Sequence, residues 1–125
     1  NSLADLAKNV QKGLPKNTLK ATLLRIGDKQ SKLDMARLSD RIIPSATLKR
    51  RTGTLKADES EKVERVARIF ALALDVWDDE DDAREFLFAP HPLLENKRPI
   101  DLALSDLGAR QVEDVLERLR WGIPA

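Results

Sequence analysis

The side chains of this chain that could do chemistry are few in kind. There is one histidine, His91, set between Pro90 and Pro92, and there is no cysteine. A histidine-based triad needs a positioned nucleophile and an orienting acid, and no nucleophile motif accompanies His91. One histidine without cysteine is also a poor zinc ligand set, so His91 reads as a loop residue. Carboxylates are plentiful, and residues 78–82 are acidic throughout. That run lacks the alternating acids and central glycine of a calcium loop, so it reads as a capping and solubilising segment. No carboxylate is isolated in an apolar stretch, as general acid catalysis requires, and no glycine-rich phosphate loop is present. The expectation is a protein that is not an enzyme and has no cofactor and no metal.

What remains is binding chemistry, and charge divides it in two. Residues 1–56 carry 13 Lys or Arg against 4 Asp, whereas the rest carries 9 against 17 Asp or Glu. The near-neutral total of +1 conceals this asymmetry, which points to two different partners, with a polyanion suited to the front half. The absence of cysteine excludes disulfides and suggests a reducing compartment, hence a cytoplasmic location. No apolar run approaches the roughly 20 residues of a membrane helix. The first residue is Asn rather than Met, so the start reads as trimmed.

The elements that must position these residues are all helical, because Val, Ile and Leu recur at helical rather than alternating intervals. Leu3, Leu6, Ala7 and Val10 mark a first helix closed by Gly13. Leu19, Leu23 and Ile26 mark a second, opened by Pro15 and stopped by Gly27. A third begins near Ser31, with Leu33, Ala36 and Met35 facing inward. A short fourth follows Pro44, anchored by Leu48 and ended at Gly53. The longest spans 58–77, with Val63, Val66, Ala67, Phe70, Ala73, Leu74 and Trp77 on its buried face. Ala83, Phe86 and Leu87 give a short helix ended by Pro90. Pro99 suits the first position of another helix, where its missing N–H costs nothing. Ser105 caps the last, which buries Val112, Val115, Leu116 and Leu119 and stops at Gly122. The fold class is therefore all-α, with about seven helices.

Two constellations stand out. The helix pair over 32–51 has the outline of a helix-turn-helix, whose second helix lies in the major groove while nearby cations neutralise phosphates. Thr47, Lys49, Arg50 and Arg51 are then the candidate operator contacts, with Lys32 on phosphate; the competing reading is a solvated basic face. The motif departs from its usual form. Asp40 stands where glycine is usual, and Thr47 follows Ala36 by eleven residues rather than about nine, so the turn reads as long. The other constellation is the tail, where Trp121 and Ile123 either pack back on their own domain or insert into a partner. Tryptophan is the side chain most often found as an interface anchor.

Pro92, Leu94, Pro99, Leu102, Gly108, Val112, Leu116 and Gly122, in this order and spacing, resemble the toxin-binding domain of the Xre/MbcA/ParS antitoxins. Asn96 stands where that family often has glycine, a mild change, since asparagine also tolerates the left-handed conformation. The likeness reaches back in weaker form to about Gly13. The resemblance implies a Xre-like helix-turn-helix domain followed by a toxin-binding domain, and placing the boundary by fold, with the long helix completing the first bundle's core, gives 1–74 and 75–125. It implies a toxin partner, typically a RES-domain enzyme that degrades NAD, whose active site the antitoxin's end blocks. Gly108, Arg110, Trp121, Gly122, Ile123 and Ala125 are the expected toxin contacts. A homodimer and repression of the chain's own operator are implied as well. The alternative is a helix-turn-helix regulator without a toxin.

Overall fold

The computed structural model describes residues 13–122. The helix expected over Leu3, Leu6, Ala7 and Val10, and the tail positions Ile123 and Ala125, lie outside them. Among the described residues there are seven α-helices, one 3-10 turn and no strand, the all-α fold that the spacing of apolar residues predicts. The chain forms two compact units, Asn1–Glu64 and Arg65–Ala125.

The first unit holds α1 (Lys16–Ile26), α2 (Lys32–Ile42), α3 (Ser45–Arg50) and the opening turns of α4 (Ala57–Trp77). Leu19, Leu23 and Ile26 form the buried stripe of α1, and the Gly27 N–H closes it on the Leu23 carbonyl at 2.8 Å. Ser31 caps α2 by accepting from the Asp34 N–H at 3.0 Å. Helix α2 turns Leu38 and Ile42 into the core. That orientation corrects the expected inward set. Leu33 and Ala36 lie on the opposite side of a helix so rotated, and Leu33 is 60% exposed. Only Ile43 and Pro44 separate α2 from α3, so the turn is short. The additional residues of the motif lie inside α2, because Asp40 continues a helix that glycine would weaken. Asp40 also accepts the Ser45 N–H at 2.8 Å and so ties the start of α3 to the end of α2.

Leu14 closes this unit. Its N–H donates to the buried Ser60 hydroxyl at 2.9 Å. Its carbonyl accepts from the Leu55 N–H at 2.8 Å, while the Lys16 N–H reaches the Gly53 carbonyl at 2.9 Å. Gly13 is required beside it: φ is +84°, and a Cβ there would collide with the Leu55 carbonyl oxygen. A second brace joins Arg51 to Glu59. Arg51 Nη1 donates to Glu59 Oε1 and Nη2 to Oε2 at 3.1 Å, and the Lys56 N–H donates to Oε1 at 2.8 Å.

The second unit packs Val66, Ile69, Phe70 and Ala73 of α4 with α5 (Glu80–Phe88), a 3-10 turn (Pro92–Leu94), α6 (Pro99–Leu102) and α7 (Asp106–Arg120). Asp79 caps α5 by accepting the Asp82 N–H at 2.9 Å, so the acidic run does the capping its composition suggests. Ala83, Phe86 and Leu87 face inward. His91 is a loop residue whose Nδ1 accepts the Leu93 N–H at 3.1 Å. Asn96 has φ +60°, the left-handed position expected of it. Arg65 Nη1 donates to the Leu104 carbonyl at 3.2 Å, fixing the end of α6 to α4. Pro99 opens α6, and Ser105 caps α7 through the Gly108 N–H at 3.0 Å.

The Glu59 brace and the buried glycine of α7 each make a measurable difference to stability. Burial pushes the Glu59 carboxyl up, but the hydrogen bond from Arg51, that from the Lys56 N–H and the charges of both residues prevail, leaving it below the usual range. The pair's contribution is thus complete above the unfolded carboxyl's value of about 4.3 and is lost as pH falls through the lower folded value. Glu59→Gln will be less stable than the parent at pH 7, and the gap will narrow below about pH 4.3; urea midpoints from pH 7 to 3 measure it. At Gly108, a Cβ would collide with the Leu102 carbonyl oxygen and crowd the Ser105 hydroxyl. Gly108→Ala will therefore destabilise the protein by about 1–3 kcal/mol, read as a lower urea midpoint at constant slope.

Candidate nucleic-acid and partner-contact sites

Helix α3 is short, and its cations follow from its register. Leu48 is its half-buried anchor, Thr47 is half-buried beside it, and Lys49 and Arg50 are exposed. With its backbone fixed by Asp40 at its start and by Arg51 just past its end, α3 presents Lys49 and Arg50 from a held turn. Arg51 is placed differently from its neighbours. Its guanidinium is engaged by Glu59, its side chain is only 16% exposed, and the hydrogen bond to Glu59, above all, raises its pKa. From sequence alone Arg51 groups with the outward cations, because its partner lies eight residues on, in the first turn of the next helix. Lys32 is exposed at the start of α2 and borders the space between α1 and α2, which Leu48 also lines.

The expected partner contacts in the second unit are spread along α7. Gly108 is buried in its first turn, where the missing side chain lets the helix approach α6. Arg110 is exposed and paired with Asp106 at 3.2 Å. Trp121 is 74% exposed at the far end, and its Nε1 donates to Glu117 Oε2 at 3.1 Å. Gly122 follows with φ +71°, the left-handed close expected of it. At 1.5 Å per residue, Gly108 and Trp121 are about 20 Å apart along the axis, so these residues do not converge on one point.

Arg110 and Trp121 do share a face, whereas Gly108 lies on the buried side of the helix. Leu107, Arg110, Asp114, Glu117 and Trp121 follow at steps of three and four residues, and all are exposed. Such steps keep side chains on one side of a helix. Leu107 is 70% exposed at one end of this stripe and Trp121 closes the other. Beside the Leu107 end lies a cleft of about 530 Å³, lined by Leu93, Leu102, Leu107, Gly108, Val115 and Arg118. Sequence reasoning does not single out Leu107 or Leu93. A signal for Leu107 exists: it falls outside the periodic set of Val112, Val115 and Leu116, so it cannot share their buried side. Nothing comparable marks Leu93.

The charged groups elsewhere do not converge. Among the described residues no group of three His, Cys, Asp or Glu side chains is placed to hold a metal ion, and no helix is long and apolar enough to cross a membrane.

Comparison with known proteins matches both halves of this arrangement. Residues 5–68 match the antitoxin Xre-like helix-turn-helix domain. Residues 72–122 match the antitoxin Xre/MbcA/ParS C-terminal toxin-binding domain. A curated relative, an "Antitoxin Xre" of Pseudomonas putida, is 33% identical over 86 residues, covering 66% of this chain and 54% of its own. The chain thus spans about half the length of that relative. With a helix-turn-helix match covering over half of its residues and a toxin-binding match after it, the chain belongs to the Xre/MbcA/ParS antitoxin family.

Proposed function

We propose that this protein is the antitoxin of a two-component pair, that it neutralises a RES-domain, NAD-degrading toxin by occluding its active site, and that it represses its own operon as a cytoplasmic homodimer. The observation that carries the toxin half is the exposed stripe of α7. A tryptophan that is 74% exposed, preceded on the same face by Glu117, Asp114, Arg110 and Leu107, leaves a large apolar side chain in solvent. Tryptophan and arginine are the types most enriched where binding energy concentrates. In this reading Trp121 and Gly122, with Ile123 and Ala125 beyond them, enter the toxin. Arg110 docks on the toxin's rim, and Gly108 shapes the cleft that receives it. Inhibition needs no chemistry from the antitoxin, since a plug that excludes substrate suffices. Residues 75–125 would perform this task and residues 1–74 the operator task. The operator reading rests on the exposed Lys49 and Arg50, with Thr47 beside them and Lys32 on phosphate, while Arg51 sets the backbone behind them through Glu59.

Each half has its own test. Trp121→Ala will leave the unfolding midpoint within about 0.5 kcal/mol of the parent, because the side chain is exposed. It will weaken toxin capture by roughly thirtyfold or more, as removal of an interface anchor does. Co-expression with the adjacent gene's product, reading growth, cellular NAD and co-purification, measures it. Unchanged protection would remove the stripe from the toxin contact, and the absence of any complex with the parent protein would favour a regulator without a toxin. For the operator half, Lys49→Ala with Arg50→Ala will weaken binding to the chain's own promoter and flatten the salt dependence by about 0.9 for each phosphate no longer neutralised. An unchanged affinity and slope would leave α3 without a role in DNA binding.

A further inference from the structure

The first unit carries an apolar groove that shares only its rim residue Lys32 with the proposed operator contacts. It lies between α1 and α2, has a volume of about 840 Å³, and is floored by Leu19, Leu23, Leu24, Met35 and Leu48. Leu24 is 67% exposed within it, an exposure that nothing among the described residues of the first unit explains. Met35 adds an unbranched, polarizable side chain that adapts to differing apolar surfaces. The rim is charged with one sign. Lys16, Lys20, Lys29 and Lys32 border the groove, against the single acid Asp28.

From this combination we infer that the groove is the docking site of an acidic amphipathic helix supplied by a partner protein. The trough between two helices accepts a third through apolar residues at i, i+3, i+4 and i+7. The lysine rim selects the flanks of that helix, which must be acidic, and accelerates its approach. A second copy of this chain docked groove to groove would set two such rims against each other, and like charges so placed oppose association. Residues 1–12 also fail the charge criterion, since they hold Lys8 and Lys12 against Asp5. The assignment does not depend on operator or toxin binding.

The test uses the full chain and a labelled, 16-residue synthetic helix with leucine on one face and glutamate on the other. Fluorescence anisotropy will show saturable binding that weakens with salt. Leu24→Glu and, separately, Lys20→Glu will each reduce affinity about tenfold or more. Both residues are exposed, so the unfolding midpoint checks that the fold persists, and neither belongs to the proposed operator or toxin contacts. A peptide with lysine in place of glutamate will not bind. Equal binding by the parent and Leu24→Glu, equal binding of the lysine peptide, or no saturation at all would overturn the assignment. So would a dimer that Leu24→Glu dissolves in sedimentation equilibrium, which would give the groove to a second copy. A rise in peptide affinity in Leu6→Glu would give it to the chain's own first segment.

Discussion

The helix-turn-helix unit depends on one strand-like crossing. Leu14 enters α1 while pairing through its carbonyl with the Leu55 N–H, and its own N–H is taken by Ser60 in the first turn of α4. These are buried polar groups, and leaving any one unpaired would cost about 1–3 kcal/mol. The crossing demands glycine at position 13, because no other residue both adopts φ +84° readily and leaves room for the Leu55 carbonyl. The entry to α1 and the entry to α4 are thereby fixed to each other. Helices α2 and α3, which lie between them in the chain, must close within that fixed span.

Glu59 extends the same logic to the basic segment. One carboxylate receives a guanidinium in a two-pronged contact and also the Lys56 N–H, so it caps α4 and holds the chain leaving α3 at once. A carboxylate so engaged stays charged despite being buried. The consequence for function is a sorting of adjacent cations. Arg51 faces a fixed internal partner, whereas Lys49 and Arg50, one turn or less away, are exposed. Three consecutive basic residues therefore do not form a uniform patch. Only the outer two are placed as steering charges, and the third sets the geometry from which they project.

How far the sequence foretells this depends on whether a feature is local. Proline at the start of α6, Ser105 and Ser31 as caps, Asn96 in a left-handed turn and Gly122 at the end of α7 are all legible, because each is set by the chemistry of a few adjacent residues. The same holds for the buried stripes of α1 and α7. Leu33 and Ala36 read wrongly as inward because α2 offers two apolar faces, and only packing against neighbours selects the one with Leu38 and Ile42. The short turn before α3 is hidden by counting residues against a motif, which cannot tell a long turn from a long helix. The Arg51–Glu59 pair is hidden because its partners belong to different elements. Leu93 carries the remaining difficulty: in the short 3-10 turn no periodic set tells which way a leucine faces.

The two exposed apolar surfaces differ in a way that separates their partners. On α7 the apolar ends, Leu107 and Trp121, are separated by Arg110, Asp114 and Glu117, so the intervening charge is of both signs, one positive against two negative. A face of this kind gains little from long-range attraction, and its affinity must come from shape and from the anchors at its ends. The α1–α2 groove is the converse, a continuous apolar floor within a rim carrying three more positive than negative charges. Such a site gathers acidic partners from a distance and discriminates among them by salt-sensitive contacts before apolar fit is tested. The steep division of charge along the chain, basic to residue 56 and acidic beyond it, is therefore expressed locally as two recognition regimes. The second unit suits a partner matched closely in shape, and the first suits partners defined by negative charge, whether a phosphate backbone at α3 or an acidic helix in the groove beside it.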